Sequence, residues 1–349
     1  MKAAFRKYTL KFIRPGGTSR GVLTEKESYF ISLEDNGSWG IGEAGLFRGL
    51  SADDRPDYEN WLKRACGALE RGDEDITEVF REFPSIVFGV EQALRSLKSS
   101  DPFELFPSRF LKGDPIPING LIWMGELAFM EQQIEEKLSA GFRCLKLKIG
   151  ALDFESEIRL LQAIRKRYHP GDLEIRVDAN GAFSPGEALG KLRALSELRL
   201  HSIEQPIRAG QPVEMAELCA RTPLPIALDE ELIGCYYPED KEALLEHIRP
   251  QYIILKPSLA GGVTGCREWI QAAEARRIGW WVTSALESNI GLNAIAQWTA
   301  SLEVHMPQGL GTGSLFSNNF ESPLEVSGGK LWYDPDKKWG IPQIKELCT

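Results

Sequence analysis

The sequence predicts an α/β protein: a modified (β/α)8 TIM barrel with an N-terminal α+β capping domain. Three observations predict it. From about residue 115 onward, short apolar runs alternate with helical patterns, polar residues close those runs at near-equal intervals, and residues 1–112 do not share the rhythm. At 349 residues the chain can hold a barrel of about 200 to 250 residues beside a smaller unit. We expect the cap over 1–112, joined by a C-terminal tail over 321–349, and the catalytic barrel over 113–320.

In the cap, 5–12 and 28–33 alternate as strands, and Asp35-Asn36-Gly37 is a hairpin turn leading into a third strand over 39–42. Helical patterns follow near 54–69 and 87–97. The connection Arg14-Pro15-Gly16-Gly17-Thr18-Ser19-Arg20-Gly21 is rich in glycine and polar groups, as a mobile lid over a pocket would be, although a plain surface loop has the same composition. Residues 43–50 are a second lid candidate.

The barrel begins with a strand over 115–122, after a proline-rich entry, and an amphipathic helix over about 126–140 follows it. Strands are then expected near 144–148, 174–178, 200–204, 225–229, 252–256 and 280–284. Helices are expected near 153–168, 185–198, 212–221, 239–248, 264–277 and 290–302. An eighth strand is expected near 309–311. Leu324-Glu325-Val326 and Leu331-Trp332-Tyr333 read as a tail returning to the cap.

The polar strand ends carry the functional argument. In Leu145-Lys146-Leu147-Lys148 the two lysines share one face of a strand. Ammonium groups facing a barrel interior are costly unless acids meet them. Asp178, Glu204 and Asp229 follow Lys148 at steps of 30, 26 and 25 residues, and Lys256 and Ser284 follow at 27 and 28. Each step is one strand, one helix and two short loops, so these residues converge on the C-terminal mouth, where such barrels keep their chemistry. Any one acid alone is explained by a salt bridge or a helix cap. Three together offer the hard oxygen donors that Mg²⁺ prefers, with water and substrate left to complete the sphere. Lys146 and Lys148, like charges beside a cation, are expected to have lowered pKa values suited to a base. Lys256 faces Lys148 across the mouth, where it could stabilise developing negative charge. Arg176 is expected one layer deeper as a supporting partner, Asn180 reaches the site from a loop, and Glu230 either joins the site or caps a helix.

Other classes fit poorly. A net charge of −9 without a basic stripe argues against nucleic-acid binding, while an anionic substrate remains compatible because the local site outweighs the sum. The six cysteines form no Cys-x-x-Cys pair and the four histidines show no ligand spacing, which disfavours zinc and a disulfide framework. With no apolar signal core and no run of membrane-spanning length, the expectation is a cytoplasmic protein without membrane partners, for which a homo-oligomer is compatible.

Lys-x-Lys, Val-Asp-Ala-Asn, Ile-Glu-Gln-Pro, Leu-Asp-Glu and Leu-Lys-Pro, in this order and spacing, resemble the enolase superfamily, and within it the muconate lactonizing subgroup. The resemblance covers nearly the whole chain. It implies Mg²⁺, with Mn²⁺ as a substitute, on Asp178, Glu204 and Asp229, and Lys148 and Lys256 as the catalytic pair; a lysine base acting with Mg²⁺ on an enediolate is a known pattern of this superfamily. The stretches 284–292 and 308–316 resemble the seventh- and eighth-strand regions of the o-succinylbenzoate synthases. They lack the Asp-x-Asp pair by which dipeptide epimerases hold a substrate ammonium, and Gly311 stands where many synthases carry aspartate. The resemblance therefore implies dehydration of 2-succinyl-6-hydroxy-2,4-cyclohexadiene-1-carboxylate in menaquinone biosynthesis, with Lys146, Asn180, Ser284 and Gly309 as substrate contacts. An N-acylamino acid racemase or cycloisomerase of the same subgroup and a non-catalytic carboxylate-binding barrel are the alternatives.

Overall fold

The computed structural model describes residues 1–18, 21–73 and 75–348. Its N-terminal part is an antiparallel sheet of β1 (Lys2–Thr18), β2 (Gly21–Asp35) and β3 (Ser38–Ala44), in that order. The turn at Asp35-Asn36-Gly37 is present, with φ 49° at Asn36 and 82° at Gly37, the left-handed values this tight hairpin needs. The strands run further than expected. The connection read as a lid loop is instead paired backbone: after a register shift between Lys11 and Gly16, Gly16 faces Leu23 and Gly17 faces Val22. The ladder resumes past the shift because the arm has a second support, its glycines lying against Trp123 and Met124 at the start of the barrel. Ser19 and Arg20, also part of the expected lid, lie outside the described residues.

Helices Tyr58–Arg71 and Pro84–Lys98 cover this sheet. The second is buried on nearly every side because it is sandwiched, and its Glu91 reaches the barrel. There it accepts hydrogen bonds from the Val263 and Thr264 amides at the start of helix Gly262–Glu274, at 2.5 and 2.9 Å. An anion at a helix N-terminus satisfies orphan N–H groups and complements the helix dipole.

Beyond the short strand β4 (Ile116–Pro117) lies a parallel sheet built from β5 (Gly120–Ile122), β6 (Cys144–Lys148), β7 (Glu174–Asp178), β8 (Ser202–Glu204), β9 (Ile226–Leu228), β10 (Tyr252–Leu255) and β11 (Gly279–Val282). Each strand pairs with its successor in sequence, and the helices between them form the outer layer. Leu145, Leu147, Ile175, Val177, Ile203 and Leu255 face those helices in one continuous core, which leaves the alternate positions to the interior.

Two expected strands differ. The run 115–122 breaks at Ile118-Asn119, and Ile116–Pro117 pairs antiparallel with β13 (Lys330–Tyr333), which forms a hairpin with β12 (Leu324–Ser327). That hairpin therefore seats at the entry to the barrel, and the final segment, through Trp339, Ile344 and Leu347, packs on Phe30 and Ile41 of the cap. The eighth strand does not form as a ladder. Single bridges, Ile118 with Gln308 and Thr283 with Gly309, close the gap between β5 and β11. The closure is tight: a Cβ at Gly309 would lie 2.3 Å from Thr283 Oγ1.

A titrating group from another part of the cap meets the N-terminal turn of helix Pro84–Lys98. Buried Asp53 accepts from Ser85 N at 2.9 Å and Ser85 Oγ at 2.6 Å, yet burial outweighs these bonds and pushes its pKa up to about 6. A carboxyl whose folded pKa exceeds its unfolded value is ionised at a cost, so stability falls as pH rises from about 4 to 6. Asp53→Asn keeps an acceptor for Ser85 and removes this slope. Urea unfolding at pH 4 and pH 7 should show the wild type losing roughly 3 kcal/mol relative to the variant; parallel profiles would contradict the assignment.

Candidate active site

The strand ends bring the expected residues together. Asp178, Glu204 and Asp229 stand at or just beyond the ends of the adjacent strands β7, β8 and β9, with exposures of 0%, 2% and 3%. Lys146 and Lys148 lie on β6, on one side of this row, and Lys256 follows β10 on the other. Register aligns part of the row: Lys148 pairs with Asp178 and Asp178 with Glu204, while Glu204 pairs with Ala227, so Asp229 stands two residues further along its own strand end.

Ammonium groups hold the acids. Lys146 Nζ is 2.9 Å from Asp178 Oδ2 and also contacts Glu204 Oε2; Lys148 Nζ is 3.0 Å from Asp178 Oδ2 and donates to Asn180 Oδ1 at 2.7 Å; Lys256 Nζ is 2.5 Å from Asp229 Oδ2. Asn180 has φ 44°, a conformation asparagine tolerates, and it donates to Glu230 at 3.0 Å, which places Glu230 beside the site.

The electrostatics divide the acids. Burial alone would raise Asp178, but Lys146 and Lys148 hold it far below the usual carboxylate range. Asp229 is likewise lowered against its burial, by Lys256 and Lys146. Glu204 goes the other way: burial and the charge of Asp178 raise it well above normal, and its Oε1 meets no donor among the described residues. With the acids as its charged neighbours, Lys146 is raised. Burial does pull it down, but Asp178, Glu204 and Asp229 outweigh burial and raise it; Lys256 is raised against its burial by Asp229 and Glu204.

Among the described residues no group of three His, Cys, Asp or Glu is already arranged around a metal position. The donor set nevertheless fits a hard divalent cation: three buried carboxylates from adjacent strands, one with an oxygen that meets no donor among the described residues. In the observed arrangement, lysine ammonium groups provide the positive charge that this cluster requires.

All the expected residues except Glu204 line one cavity of about 450 Å³, and Glu204 lies beneath it in contact with Lys146. Ser284 Oγ is 2.6 Å from Thr312 Oγ1. Gly311 lines the wall, where a Cβ would come within 3.2 Å of Ile118 Cδ1. Arg176 does not support the acids. It donates to Glu174 and to the Pro307 carbonyl at 2.7 and 2.9 Å and stacks 4.3 Å from the Trp281 ring, because the inward position one layer down meets no carboxylate of the cluster. The cavity also takes Asn119, Trp123, Phe129 and Leu315 from the barrel, with Ile13, Phe47 and Leu50 from the cap. An apolar pocket wall has the composition of a core, so these were not named individually from the sequence; the two lid candidates came nearest, 43–50 with Phe47 and Leu50 and 14–21 with Arg14 and Pro15, which also line the cavity.

The chain belongs to the enolase superfamily: residues 129–340 match the model of the Enolase C-terminal domain-like family. It is 50% identical to an o-succinylbenzoate synthase of Desulfotalea psychrophila, over 95% of this chain and 98% of that protein. The crystal structure of MenC from D. psychrophila LSv54 superimposes with a TM-score of 0.83 at 47% identity, covering 95% of this chain and 99% of that one. A dipeptide epimerase from Enterococcus faecalis V583, complexed with Mg and a dipeptide, shares the fold at 19% identity, with a TM-score of 0.79 over 97% of this chain and 98% of that one.

Removing the Lys146 ammonium takes from buried Glu204 its lysine contact and leaves buried Asp178 with Lys148 alone. Lys146→Met should therefore destabilise the chain by about 3–5 kcal/mol in chelator-treated buffer. Denaturant unfolding measures this, and a change below about 1 kcal/mol, the scale of an exposed pair, would contradict the pairing.

Proposed function

We propose that this chain dehydrates 2-succinyl-6-hydroxy-2,4-cyclohexadiene-1-carboxylate to 2-succinylbenzoate, the o-succinylbenzoate synthase reaction of menaquinone biosynthesis. The observation that carries it is the row of three buried acids between two lysine-bearing strand ends, in a chain half identical to a synthase over almost its whole length. Asp178, Glu204 and Asp229 would hold Mg²⁺, or Mn²⁺ in its place, which when bound supplies Lewis-acid polarisation of a carboxylate and so acidifies the carbon beside it.

The protein's own groups do the rest. Lys148 removes the proton from the ring carbon that bears the carboxylate, acting from the β6 side. Lys256, from the opposite side of the row, sets its positive charge against the enediolate that forms. Lys148, now carrying the proton, returns it to the departing hydroxide on the same face, so that water leaves and the ring becomes aromatic. Asn180 holds the Lys148 ammonium between strokes. Ser284, Gly309 and Lys146 contact the substrate, and the apolar wall of Trp123, Phe129 and Leu315 excludes water from the reacting ring.

The segment 308–316 contributes no acid to the cavity, so the Asp-x-Asp pair by which dipeptide epimerases hold a substrate ammonium is missing from it, which favours the synthase. The proposed enzyme acts in the cytoplasm on a small anionic carboxylate. No helix among the described residues is long and apolar enough to cross a membrane.

The direct test is incubation of the purified chain with the cyclohexadiene and Mg²⁺ while aromatic absorbance is followed. Turnover should stop with chelator, return with Mg²⁺, and fall by about 10³-fold or more in Lys148→Ala. Rapid racemisation of N-acylamino acids with the cyclohexadiene left untouched would overturn the proposal, and a Lys148→Ala protein with full turnover would overturn the assignment of the base.

A further inference from the structure

Cap and barrel also meet through a polar cluster that the chemistry above does not use. Lys26, Glu43 and Glu287 are all buried, which such residues seldom are unless paired. Lys26 Nζ donates to Ser28 Oγ at 3.2 Å, and Ser28 Oγ donates to Glu43 Oε1 at 2.6 Å. Across the interface, Glu43 accepts from the Ser288 and Gly291 amides, each at 3.0 Å, and so sits on the N-terminus of helix Asn289–Ser301. Glu287 takes a different pair of donors, Ser258 Oγ at 2.6 Å and Ala285 N at 2.7 Å. Ser258 stands two residues after Lys256, and Ala285 directly after Ser284. One carboxylate thus ties the rim beyond β10 to the rim beyond β11.

Two further observations show that this arrangement is held tightly. Leu286 keeps φ 62°, a left-handed backbone that costs a bulky residue about 1–3 kcal/mol and persists only where its surroundings enforce it. From the cap, Gly45 approaches so closely that a Cβ would lie 2.7 Å from Ser258 Oγ and 3.0 Å from Glu287 Cγ. The root of Lys256 lies in the same turn, its carbonyl accepting from the Leu259 and Ala260 amides at 2.8 and 2.9 Å. Moving Ser258 therefore moves the backbone from which Lys256 projects.

We propose that Glu287 is a positioning residue for Lys256, and that together with Lys26 and Glu43 it forms a latch through which the seated cap fixes that lysine. The proposal rests on the reading of Lys256 given above. A lysine whose root drifts still permits substrate to bind but meets the developing charge less well, so the loss falls on kcat rather than on KM.

Ser258→Ala removes one hydroxyl and leaves the helix ends capped. With the cyclohexadiene substrate it should lower kcat about tenfold while KM stays within about twofold. Glu287→Gln should lose at least as much, and the double variant no more than Glu287→Gln alone, since both act through one bond. Hydrogen–deuterium exchange provides a readout independent of activity: in Ser258→Ala the amides of 257–260 and of 285–288 should exchange faster together. If Glu287→Gln does not fold, Ser258→Ala decides the matter. An unchanged kcat, a loss confined to KM, or faster exchange in 257–260 alone would overturn the latch. A wild-type chain inactive on the cyclohexadiene would instead count against the proposed function, and the exchange experiment would still decide the latch.

Discussion

Three carboxylates buried on neighbouring strands cannot coexist without positive charge among them. Asp178, Glu204 and Asp229 are almost wholly removed from water, where an isolated ionised group is prohibitively costly. Every nearby feature answers that demand. Lysines flank the row on β6 and after β10, Lys146 lies between two of the acids, and the raised pKa of Glu204 records the charge left unmet. The cluster is held near neutrality by groups that a divalent cation could replace. Freeing Lys148 and Lys256 from their carboxylates would leave both amines available to a substrate.

The same use of acids at positive poles recurs in the assembly of the molecule. Glu91 and Glu43 leave the cap to meet the N-termini of two barrel helices, Gly262–Glu274 and Asn289–Ser301. These helices follow β10 and β11, the strands that carry Lys256 and precede Ser284. The cap is thus fastened to the part of the rim where the second lysine and the seventh-strand loop must be placed, while its hairpin arm and Phe47 close the cavity from above.

Much of this was readable in the chain because strand ends in a parallel barrel project polar residues at a fixed period. Asp178, Glu204, Asp229 and the lysines could be brought to one rim by counting, and the register pairs Lys148, Asp178 and Glu204 directly. The eighth strand was not readable as it stands, since Gly309 closes the barrel through a single bridge that no strand pattern encodes. The arm over 14–21 looked like a loop because its glycines signal flexibility; their actual use is close approach to Trp123 and Met124. Sequence shows which charges are neighbours but not their distances, and two acids in contact outweigh a like charge on the next inward position. Glu43 and Glu287 carried no periodic signal at all, because their partners lie in different parts of the fold.

The proposed reaction requires a divalent cation on this acid row, with the Lys148 and Lys256 amines free on either side of the substrate. A crystal structure of the chain with Mg²⁺ and 2-succinylbenzoate tests it most directly. The ion is expected among Asp178, Glu204 and Asp229, with the Lys148 and Lys256 ammonium groups on opposite faces of the ring. An ion bound elsewhere, or both lysines still joined to their carboxylates with the product on one side of them, would contradict it.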